Sequence, residues 1–226
     1  MGTLLNAAAI VMGSLLGRLM QGRLPDHLSR QGIQLIGLFI FLIGVKMAIG
    51  PSQPLVVLFS LIIGSILGGT WRIEDRLEAL SRRLEQRFAA GQGIGQGFIT
   101  GTLLFCVGPL AIMGSLQDGL RQGITLLANK ALLDGLSSVA LSSSLGVGVA
   151  LSAAPVLVYQ EGITLLAGFL NQLLVPAAVS DMTAVGGVLI VAMGLNMLGM
   201  TRFKVADLLP GLFVALALSA AWHRSF

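Results

Sequence analysis

Charge is what this 226-residue chain has least of. Asp, Glu, Lys and Arg together make up 11%, where soluble domains carry about 25%. A soluble protein of this size could not hide the apolar surface that 55% hydrophobic residues bring, and the mean hydropathy of +0.89 agrees. Cysteine is almost missing. The single Cys106 can form neither an internal disulfide nor a cysteine-based metal site, and inside an apolar run it reads as a small buried side chain. Histidine is scarce as well. His27 and His223 lie far apart, without HxxxH or HExxH spacing, and neither is near Cys106. No carboxylate pair is placed as in an intramembrane protease. Catalysis, metal or haem ligation, and any other cofactor are therefore not expected. The net charge of +4 would suggest nucleic acid only if the basic residues formed a water-exposed patch. They sit instead in loops between apolar runs, so nucleic acid is not expected as a partner. The first charge is Arg18. Without a basic segment before it, the first apolar run is expected to stay as a membrane helix and not be cleaved as a signal peptide.

What the chain does have is apolar runs of membrane length, about 20 residues each. The gaps between charges predict an all-α transmembrane bundle of eight spans, near 2–20, 32–50, 53–71, 96–116, 127–150, 155–176, 183–200 and 206–222. Only Ser152-Ala153-Ala154-Pro155 separates the fifth from the sixth, so seven spans stay open as an alternative. The 30 glycines suit helices that approach closely in lipid. Gly13/Gly17 and Gly64/Gly68 have the GxxxG spacing of such contacts. The one long polar segment, 72–97, begins with Ile73, Leu77, Leu80, Leu84 and Phe88 three or four apart. That stripe predicts a helix over 72–88 on the inner membrane surface, or one that meets a partner helix. Glu78 and Arg82 add a pair four apart. Gly91–Gly97 reads as a flexible linker. With eight spans, Arg18, Arg23, Arg30, Arg72, Arg76, Arg82, Arg83, Arg87, Arg202 and Lys204 share one side, against Lys46, Arg121 and Arg224 on the other. The richer side is expected to be cytoplasmic, which puts both termini outside.

The chain also resembles itself. Val11-Met12-Gly13-Ser14-Leu15 matches Ile112-Met113-Gly114-Ser115-Leu116, and Gly2-Thr3-Leu4-Leu5 matches Gly101-Thr102-Leu103-Leu104. Gly37, Ile40, Gly44 and Met47 match Gly187, Ile190, Gly194 and Met197. Spans one, two and three would then pair with four, seven and eight, each with a partner of opposite direction. That is an inverted-topology repeat, common in transporters; chance likeness among glycine-rich helices is the plainer alternative. The division is 1–71 as first repeat, 72–95 as surface helix and linker, and 96–226 as second repeat with spans five and six inserted.

Lys130, Asp134, Ser138 and Ser142 are spaced by four, so a helix lines them up along one face. Ser137, Ser143 and Ser144 widen it. Lys130 and Asp134 can neutralise each other, which lowers the cost of burial in lipid. They are either a structural pair or the lining of a solute path. Gly114–Gly119 carries Gln117 and Asp118 between glycines, just after Gly108-Pro109. A helix that ends or breaks there would offer Asp118 as a cation or proton site, or leave it an ordinary interfacial aspartate. Tyr159-Gln160-Glu161 is interfacial, or else a gate or proton site. Lys46 falls opposite Asn196 in the repeat and is expected to reach the headgroups. Asn6 and Asn196 are expected to form hydrogen bonds between helices.

At these residues the chain resembles a known family. GTLLNAAAIVMGSLLGRL, FCVGPLAIMGSLQDGL, LLDGLSSVALSSSLGVGVALSAAPVLVYQEG, and GLNMLG followed by VADLLPGL are similar to a bacterial inner-membrane family. It is catalogued as domain of unknown function 554, the YqgA/YdfK type. The resemblance implies a multi-pass inner-membrane protein of a kind often labelled a transport protein, without an established substrate. It supplies no site residues. Gln160-Glu161-Gly162 stands where that pattern has glycine directly after glutamine, which weighs against Glu161 as a family site. The leading expectation is a transporter or channel for a small solute or ion, assembled as a homodimer in the bilayer. The alternative is a scaffold or regulator that acts through the 72–88 helix.

Overall fold

A computed structural model describes residues 1–20, 26–76, 79, 94–106, 108–170 and 176–225. All regular structure among them is helical. The helices are α1 (Gly2–Met20), α2 (Asp26–Ala48), α3 (Pro54–Trp71), α4 (Ile94–Cys106), α5 (Pro109–Gly119), α6 (Thr125–Leu145), α7 (Gly148–Leu151), α8 (Ala153–Leu165), α9 (Ala167–Leu170), α10 (Pro176–Met197) and α11 (Pro210–Ser225). A 3₁₀ turn, Val205–Leu208, precedes α11.

Five stretches are long and apolar enough to cross a membrane: Gly2–Leu19, Pro54–Trp71, Gly148–Leu165, Pro176–Met197 and Val205–Trp222. A sixth is added if α4 and α5, bent by 62° at their junction, count together. The proline explains the bend. Pro109 stands at the start of α5 and donates no hydrogen bond back to α4. The other two expected spans fall short for different reasons. Only Ile33–Ala48 of α2 is apolar, and α6 carries the Lys130–Ser144 polar face.

Two expected boundaries move. The chain turns between spans five and six at Gly146, not at Ser152–Pro155. Gly146 has φ +77°, a conformation that side chains with a Cβ rarely adopt. Pro155 lies in the first turn of α8, where a missing N–H costs nothing. The expected linker 91–97 is in part helix, because α4 already begins at Ile94. Most of the expected surface helix lies outside the described residues, which include only 72–76 and 79 of it.

Glycines set the packing. In α2, Gly37 and Gly44 lie against Gly194 and Gly187 of α10, so these helices run antiparallel. In α3, Gly64 and Gly68 lie against Gly211 and Asp207, again antiparallel. Gly13 and Gly17 of α1 meet the backbone at Gly135 and Val139 of α6, and this pair runs parallel. α10 is the central helix, with 72% of its span buried, whereas α3 is 22% buried and turns Leu55, Leu58, Phe59, Ile62 and Ile66 outward. An apolar exterior of this kind fits a lipid solvent.

Aspartates join the helix ends. Asp118 accepts the N–H of Gly2 at 2.9 Å and the terminal amine at 3.1 Å. Asp181, fully buried, accepts the N–H of Gln53 at 2.9 Å and the Ser219 hydroxyl at 2.8 Å. At the other end Asp207 accepts the N–H of Glu74 at 2.9 Å, and Glu74 returns the bond by accepting the N–H of Ala206 at 2.7 Å. Each carboxylate meets N–H groups that a helix leaves unpaired in its first turn or just before it.

Candidate functional site

The polar face of α6 turns inward. Lys130 is 5% and Asp134 8% exposed, and the Lys130 ammonium donates to Asp134 Oδ2. The close approach of α1 at Gly13 and Gly17 brings α1's own polar side chains to the same place. Asn6 donates through Nδ2 to Asp134 Oδ2 at 3.0 Å and to Gln160 Oε1 of α8 at 3.2 Å. One turn nearer the amino-terminal end, the Thr3 hydroxyl donates to Glu161 at 2.6 Å. Two bonded groups thus lie in a row along α1, Thr3 with Glu161 and then Gln160, Asn6, Asp134 and Lys130, linked through the neighbouring residues Gln160 and Glu161 of α8. Four fully buried atoms on these helices have no partner among the described residues: Asn6 Oδ1, Gln160 Nε2, Ser14 Oγ and Ser138 Oγ. Buried polar atoms cost about 1–3 kcal/mol each when unpaired, so water or a ligand is the expected partner.

On its other side the ion pair faces a cavity of about 260 Å³. α2 contributes Ile36, Phe39, Ile40, Ile43 and Met47; the α4–α5 bend contributes Phe105 and Gly108; α6 contributes Lys130, Asp134 and Ser137. The Phe105 ring centroid is 6.0 Å from the Lys130 nitrogen, the outer limit for a cation over an aromatic face. The wall is otherwise apolar, and Phe39 and Leu133, both more than half exposed, lie at its rim.

The expected site residues divide. Lys130, Asp134, Asn6 and Glu161 converge on this row of polar groups, and Ser138 is buried beside it. Ser142 is spent on its own helix end, donating to the carbonyl of Gly146 at 3.0 Å. Gln117 accepts the N–H of Leu126, at 3.4 Å, and with Asp118 stands where α5 ends and α6 begins. The helix does not break at Gly114. It continues to Gly119, and the break lies upstream at Gly108. Neither Gln117 nor Asp118 lines the cavity. Lys46 is exposed. Asn196 binds the loop that follows it, not another helix. Its Nδ2 donates to the Phe203 carbonyl at 2.8 Å, and its Oδ1 accepts from Thr201 and the Phe203 N–H. Gln160, expected with Tyr159 and Glu161 at the interface or as a gate or proton site, is instead fully buried against Asn6. Asp181 was missed by sequence reasoning; an aspartate in the first turns of a membrane-length helix was the available signal.

A model of the family described as "Protein of unknown function (DUF554)" matches residues 1–220. The chain belongs to this family. It is similar to "Uncharacterized protein YqgA" of Escherichia coli (strain K12), 27% identical over 231 residues, covering 100% of this chain and 98% of that one. It is likewise similar to "Uncharacterized membrane protein YdfK" of Bacillus subtilis (strain 168), 30% identical over 217 residues, with 94% and 93% covered. No solved structure matches the chain.

Proposed function

We propose that this DUF554 protein carries a small solute or ion across the bacterial cytoplasmic membrane, with Lys130 and Asp134 at the centre of its path. The observation that carries this reading is the buried ion pair that lines a cavity on one side and ends a row of polar groups on the other. A pair that only held helices together would need neither. Intramembrane charges are costly and usually belong to a pathway.

Eight crossings fit the packing. α1 and α6 run parallel, α2 and α10 antiparallel, α3 and α11 antiparallel. A chain that crosses at every one of eight helical stretches requires these directions. An inverted repeat is also part of the proposal. Exchanging 37 with 187 and 44 with 194 carries the Gly37–Gly194 approach onto Gly187–Gly44. The same exchange carries Gly37–Met197 onto Gly187–Met47, and Gly194–Phe41 onto Gly44–Val191; each is a close approach in the structure. An antiparallel crossing that maps onto itself supports a two-fold axis in the membrane plane.

The test is a screen of purified protein for thermal stabilisation by solutes, repeated with Lys130→Met. A ligand that binds only the folded state raises apparent stability. A hit lost in the variant supports the reading, and its absence across inorganic ions, amino acids, carboxylates and sugars counts against it.

A further inference from the structure

We infer that the site binds one proton together with one small carboxylate of apolar body, the proton on Asp134 and the carboxylate on Lys130. This rests on the solute-path reading above and names its substrate class and coupling ion.

Charge balance leads there. Lys130 and Asp134 neutralise each other in a dry interior. An anion arriving alone would leave the site with a net negative charge. A proton arriving alone would leave Lys130 without its partner. Either is costly in a low dielectric. When both arrive, Asp134 becomes a neutral acid, the incoming carboxylate replaces it beside Lys130, and the net charge stays zero.

Each ligand has its own approach. The proton's is the row of polar groups. Glu161, half-buried at the amino-terminal end, takes it from water. Asn6 and Gln160, whose Nδ2 and Oε1 bond each other beside Asp134, leave Asn6 Oδ1 and Gln160 Nε2 without a partner among the described residues. One water donating to the first and accepting from the second satisfies both. A proton leaves the Glu161 carboxyl, an O–H bond of that water is made and another broken, and the proton is bound by Asp134. Both described hydrogen bonds to Asp134 go to Oδ2, so Oδ1 is the oxygen that receives it. The carboxylate's approach is the cavity. Its wall of Ile36, Phe39, Ile40, Ile43 and Phe105 suits an apolar body, and the start of α5 at Gly108 adds a helix N-terminus favourable to an anion.

The helices around Asp134 carry other charged or titratable residues. They are Lys130 on α6 itself, Tyr159 and Glu161 on α8, Cys106 on α4, and Asp118 on α5. On α1 there are the terminal amine and Arg18; on α2 there are Asp26, His27 and Arg30 near its start and Lys46 near its end. Lys130 bonds Asp134, and the terminal amine is held by Asp118.

The experiment titrates isovalerate into the protein in nanodiscs by calorimetry at pH 7, in phosphate and in Tris, whose ionisation heats differ. Uptake of about one proton per isovalerate is expected, with affinity about tenfold weaker at pH 8 than at pH 7. Isovaleramide, equal in shape and uncharged, should not bind. Asp134→Asn should bind isovalerate with no proton uptake and no pH dependence, and Lys130→Met should not bind it. Equal binding of the amide, binding without proton uptake in the wild-type protein, or no saturable binding of isovalerate overturns the inference. If a solute of another class stabilises the protein and loses that effect in Lys130→Met, the solute path stands and this inference alone falls.

Discussion

Asp181 is fully buried yet has no cation among its hydrogen-bond partners. Its charge is balanced by the start of α3 and by one hydroxyl. Asp181→Ala would leave the Gln53 N–H and the Ser219 hydroxyl without an acceptor. A loss of about 1–3 kcal/mol is expected in detergent unfolding, and Asp181→Asn should cost less because it keeps one acceptor. The ion pair follows a different rule. Lys130→Met or Asp134→Asn alone leaves one buried charge, with an expected cost of about 3–5 kcal/mol, and the double variant should recover much of it. If the double variant is less stable than both singles, pairing is not what holds those side chains. Outside the spans, Asp75 is bonded to Lys204 at 3.0 Å and to Arg72 at 2.7 Å. Lys204 first, and then Arg72, holds its carboxyl below the usual value. A lowered carboxylate pKa stabilises the fold above the unfolded value, about 3.9, and that contribution is lost as pH falls through the lower folded one. Hydrogen exchange in 198–206 should therefore quicken only below about pH 4, and in Lys204→Met this step should shrink.

At the level of helices, crossings are set where side chains are absent. Gly44 and Gly187 touch each other's backbone, so Gly44→Leu and Gly187→Leu should each destabilise by about 1–3 kcal/mol. Because both act at one contact, their combination should cost less than the sum; additive losses in thermal unfolding would mean that the crossing lies elsewhere. The contacts at Gly13/Gly17 and Gly64/Gly68 were legible from their GxxxG spacing, whereas Gly37, Gly44, Gly187 and Gly194 showed in the sequence only as a repeat and not as a contact. The inward face of α6 was legible from the spacing of Lys130, Asp134 and Ser138. The turn at Gly146 was not legible. Ser-Ala-Ala-Pro looks like a break, but proline fits a first turn, and only the left-handed conformation of Gly146 decides between the two. Nor could spacing reveal that α1 would be the helix beside α6, because that contact joins residues 128 apart. The same distance in sequence hid the capping roles of Asp118, Asp181 and Asp207.

Taken whole, the bundle has two unlike ends. The described segments at one end carry Arg18, Arg72, Arg76, Arg202 and Lys204, against Lys46, Arg121 and Arg224 at the other. By the positive-inside tendency the first end is expected to face the cytoplasm. With Cys106 replaced by serine, Gln122→Cys and a cysteine at Ser225 should react with an impermeant thiol reagent in intact cells, and Arg202→Cys should not; the reverse pattern would invert the protein. The cavity opens sideways past Phe39 and Leu133. A second copy laid against α2 and α6 would screen its rim from lipid. Mass measurement in nanodiscs is expected to give a dimer, and a monomer there would leave the opening to lipid.

The parallel contact of α1 with α6 also bears on how the chain is made. Asn6 meets its partner Asp134 128 residues later, and at roughly 5–20 residues per second of synthesis α1 waits on the order of ten seconds for α6. During that interval its inward face, with Thr3, Asn6 and Ser14, holds only uncharged groups. The two charges leave the ribosome four residues apart on one helix and can pair as soon as that helix forms. Translation thus never presents the bilayer with one without the other close behind.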